Sequence, residues 1–458
     1  MFALIGVLGL LVFVLARPTD LFPSLKSLPF LYGSFALAVL GLLVDLRLGF
    51  AKVRRSPVVV LALAYLGWCM VTVVLKSAWA VSRSIVELGI IAAVFLVISQ
   101  GVSSFRAYQT VVATLLATIL FIAGVSAHQG TQPRYCVAID PGDHFTSMGR
   151  PDSRRCSEVP PCRIDPPEPQ SLYRCEHVGL FGLTSIGGRV RYTGVLHDPN
   201  EVALTCAAAL PFAIAFFRRR RSRWRFGFAL LAFFLVSAAV VYSKSRGGLL
   251  VLVTAVGVYF FERYRYKGVF VGGLLLSPVL LLGGRSGAKA SASTTERLEC
   301  WYEGLSMFLS NPGLGVGYGN FTEYHHLTAH NSVVLAGAET GYVGLVLWSL
   351  LMYAALKIPL RGRLTLTGEG AAVARDWSLA TFSALAAATV GAFFLSFNYH
   401  YVLWTYLALS AALYNAIRRH RPHFEVKLNL FEVGAISVFT MGLMVVLRLY
   451  TGIRLASG

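Results

Sequence analysis

Along the chain, apolar residues gather into long blocks separated by shorter polar or basic joints. The blocks begin near Phe2, Phe30, Pro57, Ile85, Tyr108, Val202, Phe226, Leu249, Gly268, Ser332, Trp377, Tyr401 and Phe431. A hydrocarbon core of about 30 Å is crossed by roughly 20 mostly apolar helical residues, so the pattern predicts an all-α integral membrane protein with about twelve or thirteen spans. The last block is bracketed by Glu432 and Arg448, which leave it a short apolar core. No basic residue precedes the first block, and Arg17-Pro18-Thr19-Asp20 after it offers no small-residue cleavage site, so it reads as a membrane helix and not as a cleaved signal.

Composition agrees with this reading, at 56% hydrophobic and 14% charged residues with mean hydropathy +0.63. The formal charge of +19 would suit a nucleic-acid partner if it formed one polar face. Instead the cations sit in the joints: Lys52, Arg54 and Arg55; Arg218 to Arg221 with Arg223 and Arg225; Arg263, Arg265 and Lys267; Lys357, Arg361 and Arg363; Arg418, Arg419 and Arg421. All fall on one side if the spans alternate, and the positive-inside rule makes that side cytoplasmic, with the N-terminus inside. The charge thus signals orientation in a membrane, and no nucleic-acid partner is expected.

The same alternation exports the loop from His128 to Asn200, which holds four of the seven cysteines, Cys136, Cys156, Cys162 and Cys175. An even set in a Pro-rich exported loop reads as two disulfides, with three connectivities open. Zinc is the alternative, although the spacing of Cys156 and Cys162 matches none of the usual zinc patterns. Cys69 and Cys206 fall inside spans and read as buried apolar residues.

Three exported stretches carry unusual polar residues; for the first two the alternative reading is a capped helix entrance with cations snorkelling to the headgroups. The first runs from Gly187 to Asn200 and holds Arg191 and Asp198. Pro199 biases Asp198 away from helix, and Asn200 is placed to cap a helix starting at Glu201. The second is the turn Ser243-Lys244-Ser245-Arg246-Gly247-Gly248, where two cations run against the positive-inside bias and point to an anion on that side. The third extends from Gly284 to His330. In it Ser293 and Glu296 have capping-box spacing, and Leu298, Trp301, Leu305, Phe308 and Leu309 share a helical face, which predicts an amphipathic helix on the outer membrane surface with Arg297 near its start. Asn311-Pro312-Gly313 ends that helix.

The following Gly313-Leu314-Gly315-Val316-Gly317-Tyr318-Gly319 fits neither a Walker loop nor a dinucleotide fingerprint. His325, His326, His330 and Asn331 come next. If helical, His326 and His330 stand four apart, but no third zinc ligand is evident, and an imidazole there can instead accept a proton near neutral pH. Glu339 lies a further nine positions on, deep in the tenth span, where packing with Gly341 and Gly344 against another helix is its structural role.

In this order, Arg191-x-x-Gly194 ending in Pro199-Asn200, Ser245-Arg246-Gly247-Gly248, Arg297 with Trp301, Asn311-Pro312, Gly315-x-Gly317, His330-Asn331 and Glu339-x-Gly341 resemble the O-antigen ligase and polymerase superfamily. The resemblance covers roughly Arg189 to Gly344. It implies a GT-C-like, metal-independent and inverting glycosyltransferase of the bacterial inner membrane, with no cofactor and its active site facing the periplasm. The donor would be an undecaprenyl-pyrophosphate-linked glycan and the acceptor the hydroxyl of a lipid A core or of another lipid or glycan. Carried across by motif, Arg191 and Arg246 with Arg297 would clamp the pyrophosphate, and His330 would be the base. Asp198, Asn200, Tyr318 and Asn331 would contact substrate. A polymerase of the same superfamily shares these residues, whereas a transporter or flippase calls for paired charges or broken helices near the midplane. The cysteine-bearing loop is longer than the ligase pattern. The expected parts are N-terminal spans over 1–127, the cysteine loop over 128–199, central spans over 200–283, a catalytic loop over 284–330 and C-terminal spans over 331–458.

Overall fold

The computed structural model describes residues 2–139, 148–157, 160–164, 167, 171–219, 222–284, 288–368 and 370–456. Arg220 and Arg221 of the basic run therefore lie outside the described residues. Every apolar block becomes a helix. In chain order the helices are α1 (Ala3–Leu15), the single turn α2 (Pro18–Leu21), α3 (Phe30–Arg47), α4 (Pro57–Lys76), α5 (Val81–Gly101) and α6 (Phe105–Thr131). After the strands β1 (Arg134–Ile139), β2 (Arg150–Arg155) and β3 (Leu172–His177) come α7 (Pro199–Arg219), α8 (Arg223–Ser243), α9 (Arg246–Tyr264), α10 (Tyr266–Leu282) and α11 (Ala288–Ser310). The single turn α12 (Phe321–Tyr324), α13 (Ser332–Thr365), α14 (Ala371–Ala392), α15 (Tyr401–His420) and α16 (Leu430–Ala456) complete the chain.

Among the described residues nine helices are long and apolar enough to cross a membrane: α3 to α9, α13 and α16. Helices α1 and α10 are apolar but have only 13 and 17 residues. The protein is an all-α integral membrane protein. Helices α14 and α15 are long enough but more polar, and the reason lies in their surroundings. Every residue of α15 from Val402 to Ile417 is buried, and two of its polar groups donate to neighbouring helices. Asn415 Nδ2 donates to the Ser99 carbonyl at 2.7 Å and Ser410 Oγ to the Ala355 carbonyl at 2.7 Å. Polar groups in a bilayer are costly unless they face such partners.

The chain divides into two compact units. The first comprises Met1–Val7, Leu37–Gln109 and Ser286–Gly458, and its hub is α13, which packs against α4, α11, α14, α15 and α16. The outermost of these, α16, carries Arg448, whose guanidinium lies 3.8 Å from the Tyr302 ring centroid and donates to the Tyr302 carbonyl at 3.1 Å and Ser306 Oγ at 2.9 Å. That arginine, which shortened the apolar core in the sequence, is thus satisfied by α11. The second unit comprises Leu8–Ala36 and Thr110–Arg285, and in it α7 packs on α8 and α9, and α9 on α10.

The long cysteine loop of the second unit holds what the hydropathy pattern did not foresee, a three-stranded antiparallel sheet of order β2-β1-β3. Cys136 is bonded to Cys162 and Cys156 to Cys175. These cysteines, with Ala138 and Tyr173, form its small core, and so small a module buries too little apolar surface to stand without staples. Cys136, Cys156 and Cys162 also bring their sulfurs within 4.8 Å of one another, a clustering that the two bonds account for. We expect thiol-specific labelling of the unreduced, denatured protein to modify Cys69, Cys206 and Cys300 alone. Four further labels should appear only after reductant, and early labelling of any of the four loop cysteines would contradict the pairing.

Candidate functional site

In the second unit the first two polar stretches meet at one residue. Asn200 Oδ1 accepts from Arg189 Nη2 at 2.9 Å and from Ser245 Oγ at 2.8 Å, while Arg189 Nε donates to the Ser243 carbonyl at 2.9 Å. Helix α7 begins at Pro199, two residues before the expected Glu201, because proline suits the first helical position. Asn200 is therefore inside the first turn and does not cap it. Asp198 takes that place, its Oδ1 accepting from the Asn200 amide at 2.6 Å, and this leaves the Asn200 side chain for the arginine and serine.

Ser245 in turn caps α9, accepting from the Gly248 amide at 3.1 Å. Arg246, the first residue of α9, is exposed at the N-terminus of the helix, where the helix dipole favours an anion. Arg191 is placed differently. It is only 6% exposed, its amide donates to Gln129 Oε1 at 2.9 Å and its Nε to the Thr184 carbonyl at 3.0 Å. Residue-type reasoning singled out Arg191, whereas the structure gives the link between the two stretches to Arg189. The Arg189-Val190-Arg191 spacing contained that alternative. Glu176 gave no signal in the sequence, yet its carboxylate fixes the preceding turn by accepting from the Gly187 amide at 2.6 Å and the Gly188 amide at 3.0 Å.

The first unit holds the remaining candidates. Helix α11 starts at Ala288, earlier than the capping-box spacing at Ser293 predicts, so Arg297 lies in its third turn, partly buried. Trp301, Leu305 and Phe308 are buried as expected, but Leu309 is 59% exposed and does not belong to that face. The apolar face is taken up by protein: Trp301 meets the Phe393 ring edge-on with centroids 5.5 Å apart, and α11 packs on α13 and α16. Burial pushes the Cys300 thiol up to about 11, with Glu296 adding to the effect, which leaves it protonated and unreactive at neutral pH.

After α11 the glycine-rich run docks against a break in α13. Gly341 has φ 64° and ψ −165°, a conformation essentially confined to glycine, and it interrupts the helical hydrogen bonding. Four of the backbone groups at the break find partners outside the helix. Val316 and Gly317 donate to the Ala338 and Glu339 carbonyls at 2.8 and 2.9 Å, Trp68 Nε1 donates to the Thr340 carbonyl at 2.8 Å, and the Tyr342 amide donates to the Pro312 carbonyl at 2.7 Å. The expected packing against another helix is kept at Gly344, which stands beside Trp68 of α4, and corrected at Gly341, which meets the loop at Gly313. Glu339, 3% exposed, turns its Oε1 to the Phe321 amide at 3.3 Å.

Tyr318 is held at three points. Its amide donates to Thr72 Oγ1 at 3.2 Å, its hydroxyl to Glu87 Oε2 at 3.3 Å, and its ring stands edge-on to Tyr399 with centroids 4.5 Å apart. Burial, with the Glu87 carboxylate beside it, raises the phenol well above its usual range, so it acts as a donor. Thr72 and Glu87, within spans, and Tyr399, in the turn before α15, gave no sequence signal, because only folding brings them to Tyr318.

His330 is not helical, so the four-residue spacing from His326 does not place the two on one helix face; α12 ends at Tyr324. His330 adopts φ 48°, in the left-handed region that histidine tolerates better than most residues, and its amide donates to Ser396 Oγ at 3.0 Å. The turn is locked from both sides: Thr328 Oγ1 donates to Ser396 Oγ at 2.9 Å and Ser332 Oγ to the Leu395 carbonyl at 2.7 Å. Asn331 is fully buried and caps α13, its Oδ1 accepting from the Val333 and Val334 amides at 2.9 and 3.2 Å. Asn331→Ala is expected to cost about 1 kcal/mol, as lost caps do, and to lower the melting temperature measurably. An unchanged melting curve would deny it that role.

These features define a polytopic, helical membrane protein whose polar chemistry is concentrated at helix ends and at one broken helix. Residues 231–349, from within α8 to the middle of α13, match the family model described as O-Antigen ligase, which supports the resemblance to the O-antigen ligase and polymerase superfamily. Arg246, Arg297, Tyr318, His330, Asn331 and Glu339 lie inside the match; Arg191, Asp198 and Asn200 precede it. Comparison with curated proteins finds no match.

Proposed function

We propose that this protein is a glycosyltransferase of the bacterial inner membrane that transfers a glycan from undecaprenyl pyrophosphate to an acceptor hydroxyl on the periplasmic side, as an O-antigen ligase does. The observation that carries this reading is that the matched stretch contains both an exposed arginine at a helix N-terminus, Arg246, and a histidine fixed in a rigid turn, His330. In the reaction the acceptor oxygen attacks the anomeric carbon and its proton passes to His330. The bond from that carbon to the pyrophosphate oxygen breaks, and the electron pair leaves with the pyrophosphate. Configuration inverts because there is one displacement. Arg246 and the positive end of the α9 dipole meet the charge that grows on the leaving group, and Arg191 braces the loop that carries Arg189 and Asn200. The lipid A core or another lipid or glycan is the acceptor.

Positive charge at these positions replaces what a metal would supply, so purified protein assayed with lipid-linked donor and acceptor is expected to keep its turnover in excess EDTA. Activity lost there and restored specifically by zinc or magnesium would refute the metal-free chemistry. Glycolipids of a deletion strain separate ligase from polymerase. Full-length lipid-linked polymer beside bare acceptor supports the ligase, and acceptor carrying one repeat supports the polymerase.

A further inference from the structure

A second polar feature stands apart from all of these residues. In the second unit the C-terminus of α7, the N-terminus of α8, the C-terminus of α9 and the N-terminus of α10 carry Arg218, Arg223, Arg225, Arg263, Arg265 and Lys267, with Glu262 the sole acid between Arg218 and Lys267 in the sequence. Beside them α7 to α10 enclose a groove of about 190 Å³. Its wall is apolar, formed by residues such as Ile214, Phe217, Ala229, Phe233 and Phe260, and among the described residues Arg218 is the one charged residue lining it. Arg225 is partly engaged at this end, its Nη1 donating to the Phe216 carbonyl at 3.0 Å. The ends of these helices are also marked by outward aromatic residues. Trp224 is 90% and Tyr266 85% exposed, as expected of side chains that sit in the headgroup layer of a bilayer.

We propose that this groove is a binding site for an anionic phospholipid, one acyl chain lying along the aromatic wall and the headgroup phosphate meeting Arg218 and the neighbouring cations. A pocket that encloses a whole small molecule is about 300 to 1,000 Å³, so a smaller, one-sided groove suits a single chain whose other face stays in the bilayer. The charge of the rim selects the headgroup. Basic pockets between transmembrane helices on the cytoplasmic side recognise anionic lipids, and a zwitterionic lipid has no net charge to offset six cations. Arginine suits the task because its forked donors span two phosphate oxygens. The site rests on none of the residues assigned to glycan transfer.

Native mass spectrometry of the delipidated full-length protein, titrated separately with dioleoyl phosphatidylglycerol and dioleoyl phosphatidylcholine, tests this. Phosphatidylglycerol is expected to bind at least tenfold more tightly and to raise the melting temperature. The double variant Arg218→Gln/Arg265→Gln should bring its affinity to that of phosphatidylcholine, and Ala229→Trp, which fills the groove, should remove the adduct. Equal binding of the two lipids overturns the proposal, as does an Arg218→Gln/Arg265→Gln protein that binds phosphatidylglycerol like the parent. Retention of a polyprenyl phosphate in preference to phosphatidylglycerol also overturns it, since the groove would then be an isoprenoid site. If Ala229→Trp does not fold, the arginine variant, which alters only the rim, decides the matter.

Discussion

Gly341→Ala is expected to lower the yield of folded protein several-fold and to depress the melting temperature of whatever remains. Two separate costs add at this position. The backbone, at φ 64° and ψ −165°, occupies a region that residues with a Cβ enter at a cost of about 1 to 3 kcal/mol. A Cβ would also stand 2.4 Å from the Gly313 carbonyl oxygen, which cannot retreat without releasing the Pro312 carbonyl from the Tyr342 amide. Overpacking of that kind costs about 1 to 3 kcal/mol more. Gly315→Ala should behave alike, since its Cβ would lie 2.4 Å from the Glu339 carbonyl carbon. The control is Gly442→Ala in α16, where a Cβ meets nothing within 4 Å and a helical alanine is preferred by up to about 1 kcal/mol. Melting curves of the three proteins decide it. A Gly341→Ala protein as stable as Gly442→Ala would mean that α13 is not broken here.

The largest effects on activity are expected at His330 and Arg246, and the structure dictates which substitutions report them cleanly. At φ 48°, His330→Ala would add backbone strain to the loss of the imidazole. Asparagine accepts that conformation and cannot take the proton, so His330→Asn isolates the chemistry. Turnover should fall by about 10² to 10⁴, the usual contribution of a general base, with donor affinity and melting temperature near those of the parent. Arg246→Lys keeps the charge and loses the fork. Its kcat/KM should fall about tenfold to a hundredfold, the loss of one charge-assisted hydrogen bond, with no change in melting, because the side chain is exposed. Arg191→Lys should differ from both. Its guanidinium is buried and donates to the Thr184 carbonyl, so its melting temperature should drop together with its activity. A well-folded His330→Asn enzyme with normal turnover would remove the proposed base and direct attention to His197, beside Asp198.

The sequence by itself determined the membrane class, because a run of about 20 apolar residues has few other places to go in water or lipid. It likewise marked a helix at each block, since local residue type and spacing are enough for this, and it supplied the stretches around Arg246 and His330 on which the proposed function rests. Helix starts were less legible. Pro199 and Ala288 begin their helices earlier than the side-chain capping signals at Asn200 and Ser293 indicate, and small differences in capping energy are readily outweighed by packing. What only the tertiary structure decided are the pairings between residues far apart in the chain. The link from Arg189 through Asn200 to Ser245 spans 56 positions and that from Trp68 to Thr340 spans 272, so no periodicity encodes either. The same holds for the three-stranded sheet, whose strands pair by backbone hydrogen bonds and whose disulfides choose one connectivity among three. The break at Gly341 is the sharpest instance. The local sequence reads as unbroken helix, and the broken one exists because a distant glycine loop and Trp68 satisfy four of the backbone groups at the break.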